Sequence, residues 1–230
     1  MPKRDIVYIL RDNIDPEELR YSLRSVEKNF PHNKVWFIGG KAKGLKPDGA
    51  IYHQQSGPTK WDYIKSSMWK AIECDEITSE FFLFNDDFFI MKPLKGKFVN
   101  FIDKELEDRI EELHKGTGMT AYCRTLFKAM NELRALRLPE HNFEVHLPML
   151  VDKNGMSTAL KRISSPQMRS AYGNVNLIPY KQHTDVKVYD MESVPSDADF
   201  LSTNDETFRN GKVGEFIRQS FPERSRFEVD

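Results

Sequence analysis

Two adjacent acids interrupt an otherwise apolar run of ten residues, Phe81 to Ile90, in this chain of 230 residues. Asn85, Asp86 and Asp87 lie there with two phenylalanines directly after them. Burying neighbouring carboxylates costs several kcal/mol per ion unless a cation or a set of hydrogen-bond donors compensates for it. A divalent metal that also binds a diphosphate supplies such compensation. The segment therefore predicts a metal and diphosphate site; the alternative is a plain turn between two strands.

Two arginines are spaced four residues apart in the segment ELRYSLRS. On a helix, Arg20 and Arg24 project from one face, where both guanidinium groups can hold one anion. This spacing predicts phosphate binding. The alternative is a solvated helix face on which the arginines pair with Glu17, Glu18 or Glu27.

One of the six histidines, His146, ends a predicted strand, FEVHL (143–147), just before Pro148. A neutral imidazole titrates near pH 7 and can remove a proton from an attacking hydroxyl. We therefore consider His146 a candidate general base. The alternative is a core or edge histidine whose hydrogen bonds are satisfied within the fold.

Apolar runs and helical periodicity alternate along the chain. The segments DIVYIL (5–10), KVWFI (34–38) and FFLF (81–84) predict buried strands. Asp15 and Pro16, followed by two glutamates, predict the start of a helix after the first strand. Amphipathic patterns over 101–115 and 121–138 predict a helical insertion at 101–140.

This alternation predicts a single α/β domain over 1–230, with a sheet that carries helices on both faces. Such sheets bind ligands beyond the carboxyl ends of their strands, so the chemistry is expected there.

The charges nearly balance, with 34 Lys and Arg against 35 Asp and Glu and a net charge of -1. This balance argues against holding duplex nucleic acid by bulk charge, although Lys41, Lys43 and Lys46 leave a local groove for a strand open. No apolar run approaches the length of a membrane span, and the charged N-terminus is not a signal peptide. Cys74 and Cys123 suggest neither a disulfide framework nor a metal site. We expect a cytoplasmic protein.

Six segments, in order, resemble the signature regions of the Stealth proteins, which are sugar-1-phosphate transferases of capsular polysaccharide synthesis and lysosomal-enzyme tagging. The segments are ELRYSLRSVEKNFP with KVWFIGG, then FFLFNDDFF, VHLPMLVDK, STNDE and SFPERSRFE. The resemblance runs from about residue 5 to the C-terminus, and the chain is similar to a minimal phage or bacterial member. It implies a GT-A-like fold on a Rossmann-like, mostly parallel sheet. Two departures are the sequence after Ile9 and Met149, which replaces a second histidine.

The resemblance also implies roles for individual residues. It assigns Asp87 and Asp205 to catalysis and to a bound Mg²⁺ or Mn²⁺, and it assigns His146 and Arg162 to catalysis. Substrate binding falls to four further residues, which are Asp5, Arg20, Arg24 and Asn85.

The implied reaction is attack by an acceptor hydroxyl on a nucleotide-diphosphate sugar. Sugar-1-phosphate is transferred, with His146 as the base, to a carbohydrate or another hydroxyl acceptor. One alternative is a GT-A glycosyltransferase that transfers the sugar itself to a glycan, phage or DNA acceptor. Another is an inactive module that binds a nucleotide sugar or a carbohydrate.

Overall fold

The computed structural model describes residues 3–12, 14–54, 57 and 59–229. In chain order, the elements are β1 (Asp5–Leu10), α1 (Pro16–Asn29), β2 (Val35–Gly39), β3 (Gly49–Tyr52), α2 (Lys60–Glu73), β4 (Glu80–Phe84), β5 (Phe88–Ile90), β6 (Asn100–Ile102), α3 (Leu106–Thr117), α4 (Ala121–Ala135), β7 (Met149–Asp152), α5 (Lys153–Arg162), α6 (Met168–Val175), β8 (Tyr180–Gln182), β9 (Lys187–Val188), β10 (Phe200–Thr203), α7 (Asp205–Asn210) and α8 (Lys212–Ser220).

The central sheet has the strand order β3-β2-β1-β4-β7. The strands β3, β2, β1 and β4 pair in parallel, and β7 adds an antiparallel edge to β4. This arrangement confirms the predicted mostly parallel α/β sheet. The chain moves outward from β1 to β2 and β3 on one side and returns to β4 on the other. A crevice opens between β1 and β4, where such a reversal of strand order commonly places a ligand.

Both faces of the sheet are covered, because successive side chains of a strand point to opposite faces. On β1, Val7 packs into a cluster with residues of α2, α4, α5 and α6. Its neighbours Ile6 and Tyr8 pack into a second cluster with Leu19 and Leu23 of α1. The predicted helices on both faces are therefore confirmed.

The predicted start of the first helix is confirmed in detail. Asp15 is the N-cap, and its side chain accepts a hydrogen bond from the backbone N–H of Glu17, while Pro16 occupies the first turn. Proline fits there because that position has no intrahelical partner for an N–H.

Two predicted boundaries differ. The segment 143–147 is not a strand, because β7 begins only at Met149 and takes the place beside β4. The backbone N–H groups of Phe143 and His146 bond instead to the side chains of Ser170 and Asp185. In the predicted insertion, the first helix starts at Leu106 rather than at residue 101.

A smaller sheet has the strand order β5-β10-β9. Its middle strand, β10, is antiparallel to β5 and parallel to β9. Because β4 and β5 are separated by only three residues, the start of β5 and the end of β10 lie next to the crevice. No helix within the described part of the chain is long and apolar enough to cross a membrane.

Candidate active site

A cleft of about 460 Å³, called here the acid cleft, opens at the carboxyl ends of β1, β4 and β10. The residues that line it are Ile9, Arg11, Glu18, Lys60, Tyr63, Ile64, Leu83, Phe84, Asn85, Asp86, Asp87, Met168, Lys187, Thr203, Asn204 and Asp205. Three loops meet there: two follow β1 and β4 of the central sheet, and the third follows β10 of the small sheet. The location agrees with the predicted ligand side of an α/β sheet.

Four carboxylates face this cleft: Glu18, Asp86, Asp87 and Asp205. Burial raises the pKa of Glu18 to about 8, although a 2.8 Å hydrogen bond from the Thr203 hydroxyl opposes the shift. The negative charges of the three aspartates raise it further. Burial and the neighbouring charge of Asp87 raise the pKa of Asp86 to about 6. Burial and the neighbouring carboxylates therefore disfavour the ionised form of both Glu18 and Asp86.

The two oxygens of Asp87 have different surroundings. Its Oδ2 lies 2.8 Å from Lys187 Nζ and accepts a 3.2 Å hydrogen bond from the Ser202 hydroxyl. Its Oδ1 is buried and is the one buried side-chain oxygen or nitrogen without a hydrogen-bond partner among the described residues. A buried polar atom without a partner is costly, so this oxygen is available to a ligand or an ion.

Asn85, Asp86 and Asp87 connect β4 to β5, with Asp86 and Asp87 in a turn. The turn that the sequence left as an alternative is therefore present, and it also places all three side chains along the cleft. A short connection between two buried strands holds these groups in place.

Arg169, on α6, is a residue that the sequence interpretation missed. Its guanidinium is buried, donates to Asn85 Oδ1 at 3.1 Å and to the Leu147 carbonyl at 2.8 Å, and lies over the Phe88 ring. Burial lowers the pKa of Arg169, and the negative charges of Glu144 and Asp87 act in the opposite direction. Arg169 thus fixes Asn85 and adds positive charge behind the acids.

Arg162 was predicted to be catalytic, but the structure does not bring it to the acids. It is exposed at the last residue of α5. Arg169, seven residues later, is the arginine that contacts Asn85. The chain turns into α6 between the two arginines, and all eight residues of that helix are buried.

His146 forms a pair with Asp185. Its Nδ1 lies 2.9 Å and 3.0 Å from the two carboxylate oxygens, and its backbone N–H donates to the same side chain at 3.2 Å. Burial would raise the pKa of Asp185, but the bonds to His146 lower it. With its proton on Nδ1, the imidazole has Nε2 free to accept a proton.

The pair lies beside the acid cleft. The His146 ring meets the Phe88 ring edge-on at 6.3 Å, and Phe88 directly follows Asp87. Asp185 comes two residues before Lys187, which binds Asp87. His146 does not itself line the cleft, but a ring contact and a hydrogen bond connect it to residues that lie one and two positions from Asp87 and Lys187.

Arg20 and Arg24 hold an anion, but it belongs to the chain itself. Arg20 Nη1 lies 3.0 Å from Glu228 Oε2, and Arg24 donates to both Glu228 oxygens at 2.7 Å and 2.8 Å. The Glu228 side chain is 1% exposed. Arg20 and Arg24 therefore hold one anion together, as predicted, but that anion is the Glu228 carboxylate and not a phosphate.

Asp5 does not lie in the cleft either. It begins β1, at the end of the sheet opposite to the crevice, and is fully buried. Its carboxylate accepts hydrogen bonds from the Asn33 amide and the Trp36 indole N–H, and from the backbone N–H groups of Lys34 and Thr78. These hydrogen bonds connect the starts of neighbouring strands. Asp5 therefore stabilises the sheet and does not lie where the predicted substrate contact would require it.

Asp205 does line the cleft. It is the first residue of α7, after the N-cap Asn204, and its exposed carboxylate lies 3.9 Å from Arg11. Within residues 3–12, 14–54, 57 and 59–229, no three acidic, histidine or cysteine side chains come close enough to hold a metal ion by themselves. The unpartnered Asp87 oxygen and the neighbouring carboxylates still suit a hard divalent cation that takes its other ligands from a substrate.

The residues found only with the structure are Glu18, Arg169, Asp185 and Lys187. Glu18 looks like an ordinary acid in a first helical turn, since acids are favoured there. Lys187 and Asp185 lie in a segment without a strong pattern. Their roles depend on how β9 pairs with β10, which no local signal reveals.

No protein-family model matches this chain, and no curated protein sequence matches it. Solved structures of glycosyltransferases are distantly similar. The glycosyltransferase GlyE of Streptococcus pneumoniae TIGR4 aligns at 10% identity over 96% of this chain and 60% of that one, with a TM-score of 0.48. The galactosyltransferase LgtC, solved with donor and acceptor sugar analogues, aligns at 9% identity over 96% of each chain, also at 0.48. Mouse xyloside xylosyltransferase 1 aligns at 9% identity over 98% of this chain and 96% of that one, at 0.34.

Proposed function

We propose that this protein is a transferase that uses a nucleotide-diphosphate sugar and delivers sugar-1-phosphate to an acceptor hydroxyl. The observation that carries the proposal is the acid cluster at the crevice between β1 and β4, with a buried Asp87 oxygen that has no partner. The order of segments that resembles the Stealth proteins favours the same reaction.

The carboxylates of Asp86, Asp87 and Asp205 would repel a diphosphate at short range, so its binding calls for compensating positive charge. Lys187, Arg11 and Lys60 line the cleft and supply part of that charge. Asp87 and Asp205 would hold an Mg²⁺ or Mn²⁺ ion, which would need further oxygen ligands from the donor. When bound, this ion neutralises negative charge on the diphosphate.

The chain itself supplies the base. His146 Nε2 would take the proton of the acceptor hydroxyl, while Asp185 at Nδ1 would stabilise the imidazolium that forms. The acceptor oxygen then bonds to the β-phosphorus, and the bond from that phosphorus to the bridging oxygen breaks. The nucleoside monophosphate leaves with the electrons of that bond. Phosphoryl chemistry of this kind depends on positioning and charge stabilisation more than on covalent catalysis.

Product analysis tests the proposal. The protein is incubated with a panel of nucleotide-diphosphate sugars, Mn²⁺ or Mg²⁺, and mono- and oligosaccharide acceptors, and the released nucleotide is identified by chromatography. We expect a nucleoside monophosphate and a phosphodiester-linked product. Release of a nucleoside diphosphate instead would assign glycosyl transfer, and binding without turnover would assign a silent binding module.

A matched variant separates chemistry from binding. The resembled motif has two histidines, and this chain has Met149 in place of the second. His146 is the histidine of the motif that remains, and the proposal depends on it. His146→Gln should abolish transfer while leaving donor binding unchanged, because the imidazole acts on the acceptor. Full activity of this variant would contradict the role of His146.

A further inference from the structure

A second charged cleft lies at the other end of the small sheet. This cleft, called here the lysine groove, has a volume of about 450 Å³ and is formed by the β5–β6 connection together with β8 and the start of β10. Lys92, Lys95, Lys97 and Lys181 line it, with Asp199 as the one acid. Its charge contrasts with the acid cleft and with the net charge of -1 for the chain.

Most of this positive charge is not used within the fold. Lys92 Nζ lies 3.4 Å from Asp199 and donates to the Asp197 carbonyl. The other three lysines, Lys95, Lys97 and Lys181, are exposed, and none of them forms an ion pair within the described part of the chain. Three ammonium groups around one depression therefore face solvent, where they suit an anionic ligand.

The floor of the lysine groove is aromatic. Phe101 is partly exposed and packs between Phe98 and Phe200, with ring centroids 5.8 Å and 6.0 Å away. In the register of β6 and β8, Phe101 is the partner of Lys181. A ring-bearing ligand can thus place its apolar face on Phe101 while an acidic substituent reaches a lysine.

The lysine groove is connected to the acid cleft. An intermediate cleft follows β9 and shares Lys187 with the acid cleft and Phe200 with the lysine groove. Asp185, the partner of His146, lines this intermediate cleft, and so does Tyr189, which is 62% exposed. The six steps along the backbone from Lys181 to Lys187 span at most about 20 Å when extended, so an elongated ligand of a few sugar rings can reach from one cleft to the other.

We propose that these three clefts form one track for an acidic oligosaccharide, with its reactive hydroxyl near His146 and its distal acidic sugars in the lysine groove. The acceptor role of this ligand rests on the proposed function; the binding of an acidic glycan does not. Three free lysines suit a glycan of which a few carboxylates contact the protein in the lysine groove, whereas the binding of nucleic acid depends on a run of phosphate contacts along the strand and calls for more basic side chains.

A binding measurement without any donor tests the track. Fluorescently labelled octagalacturonate is titrated with the wild-type protein, and neutral maltooctaose and an oligothymidylate are the comparison probes. The test variant carries Lys95→Glu, Lys97→Glu and Lys181→Glu. The control variant carries Lys41→Glu, Lys43→Glu and Lys46→Glu, which are three exposed lysines outside the track.

We expect the wild type and the control variant to bind octagalacturonate with affinities within about twofold of each other, and the test variant about tenfold more weakly or worse. Maltooctaose should bind weakly to all three. Absence of octagalacturonate binding, or equal loss in both variants, would overturn the proposal. Tighter binding of the oligothymidylate, lost only in the test variant, would overturn it in favour of a nucleic-acid ligand.

This outcome is independent of the transferase proposal. If no nucleotide sugar is turned over but octagalacturonate binding follows the pattern above, the glycan track stands and the catalytic proposal fails. If turnover is observed with small acceptors but the test variant binds octagalacturonate normally, the track is wrong and the catalytic proposal stands.

Discussion

The two carboxylate oxygens of Asp87 differ in their hydrogen bonding. One oxygen is held by Lys187 and Ser202, which fix the carboxylate, and the other is buried without a partner. The fixed half keeps the free half aimed at one place. Active sites commonly contain buried polar groups that are held in place without a partner. A ligand that bonds to such a group binds more strongly, because it relieves the free-energy cost of leaving the group unpaired in the folded protein.

Asp87→Asn should reduce nucleotide release about 100-fold, since one preorganised electrostatic contact is worth roughly that factor. The amide keeps the size of the carboxylate but removes its charge. Asp75→Asn, at an exposed turn after α2, is the matched control and should leave the rate unchanged. A rate for Asp87→Asn near that of the wild type would show that the carboxylate has no part in turnover.

Asp185 should act through His146, because its carboxylate bonds to Nδ1. In Asp185→Asn, we expect kcat to fall about 100-fold with the KM for the donor unchanged, as the imidazole loses its orientation and its counter-charge. A side chain that only stabilised the fold would lower the amount of folded protein instead. Steady-state kinetics together with a circular dichroism melt distinguish these two outcomes.

Glu18 should make the protein without ligand less stable as the pH rises. Its folded pKa of about 8 lies above the usual value of 4.5. The folded state therefore holds the proton more tightly, and the associated stability is complete below about pH 4.5 and is lost as the pH rises towards about 8. Glu18→Gln should raise the melting temperature at a pH of about 9 and leave it unchanged at about 4. Equal effects at both pH values would contradict this explanation.

Local sequence identified the acids but not their partners. Asn85, Asp86 and Asp87 stand out because polar residues rarely interrupt a buried run without a reason. Arg162 and Arg169 cannot be distinguished in this way, since the burial of α6 decides which of them reaches Asn85. Such a choice depends on tertiary packing, which residue types alone do not encode.

At the scale of elements, strands and caps were predictable where the signal is local. Buried strands such as β1 are short apolar runs, and α1 begins at its capping residue. The segment 143–147 is also short and partly apolar, but its backbone bonds to the side chains of Ser170 and Asp185, which are far away in sequence. Glu228, the partner of Arg24, is likewise 204 residues away along the chain, so no local pattern indicates this pair.

Glu228 fastens the C-terminal segment to α1. Burial alone would raise its pKa, but hydrogen bonds from Arg24, the Ser225 backbone and Arg20 lower it to about 2. This contribution to stability is present above about pH 4.5 and is lost as the pH falls towards about 2.

Glu228→Gln should lower the free energy of unfolding by about 3 kcal/mol, because it leaves Arg24 without its ion-pair partner and Arg20 with Glu17 alone. The difference in stability between the variant and the wild type should shrink as the pH falls from about 4.5 towards about 2, because the wild type then loses the contribution that the variant already lacks. Glu223→Gln, at an exposed glutamate of the same segment, is the control for urea unfolding. Equal stability of both variants would mean that the ion pairs of Glu228 contribute nothing.

At the scale of the whole molecule, opposite charges are separated along one surface. Carboxylates gather at the crevice between β1 and β4, and free lysines gather at the far end of the small sheet. The net charge of -1 conceals this division, so composition could exclude binding by bulk charge but could not locate either cleft. A donor with bound metal and an acidic acceptor would meet where the two regions join, at Lys187.

The most direct test is thermal stabilisation by a panel of nucleotide-diphosphate sugars, with and without Mn²⁺, for the wild type and Asp87→Asn. A ligand that binds only the folded state raises its melting temperature by mass action. We predict a donor-dependent increase for the wild type that requires Mn²⁺ and is lost in Asp87→Asn. An increase of the same size in the variant, or none with any donor in the wild type, would contradict the assignment of the acid cleft to a metal-bound nucleotide sugar.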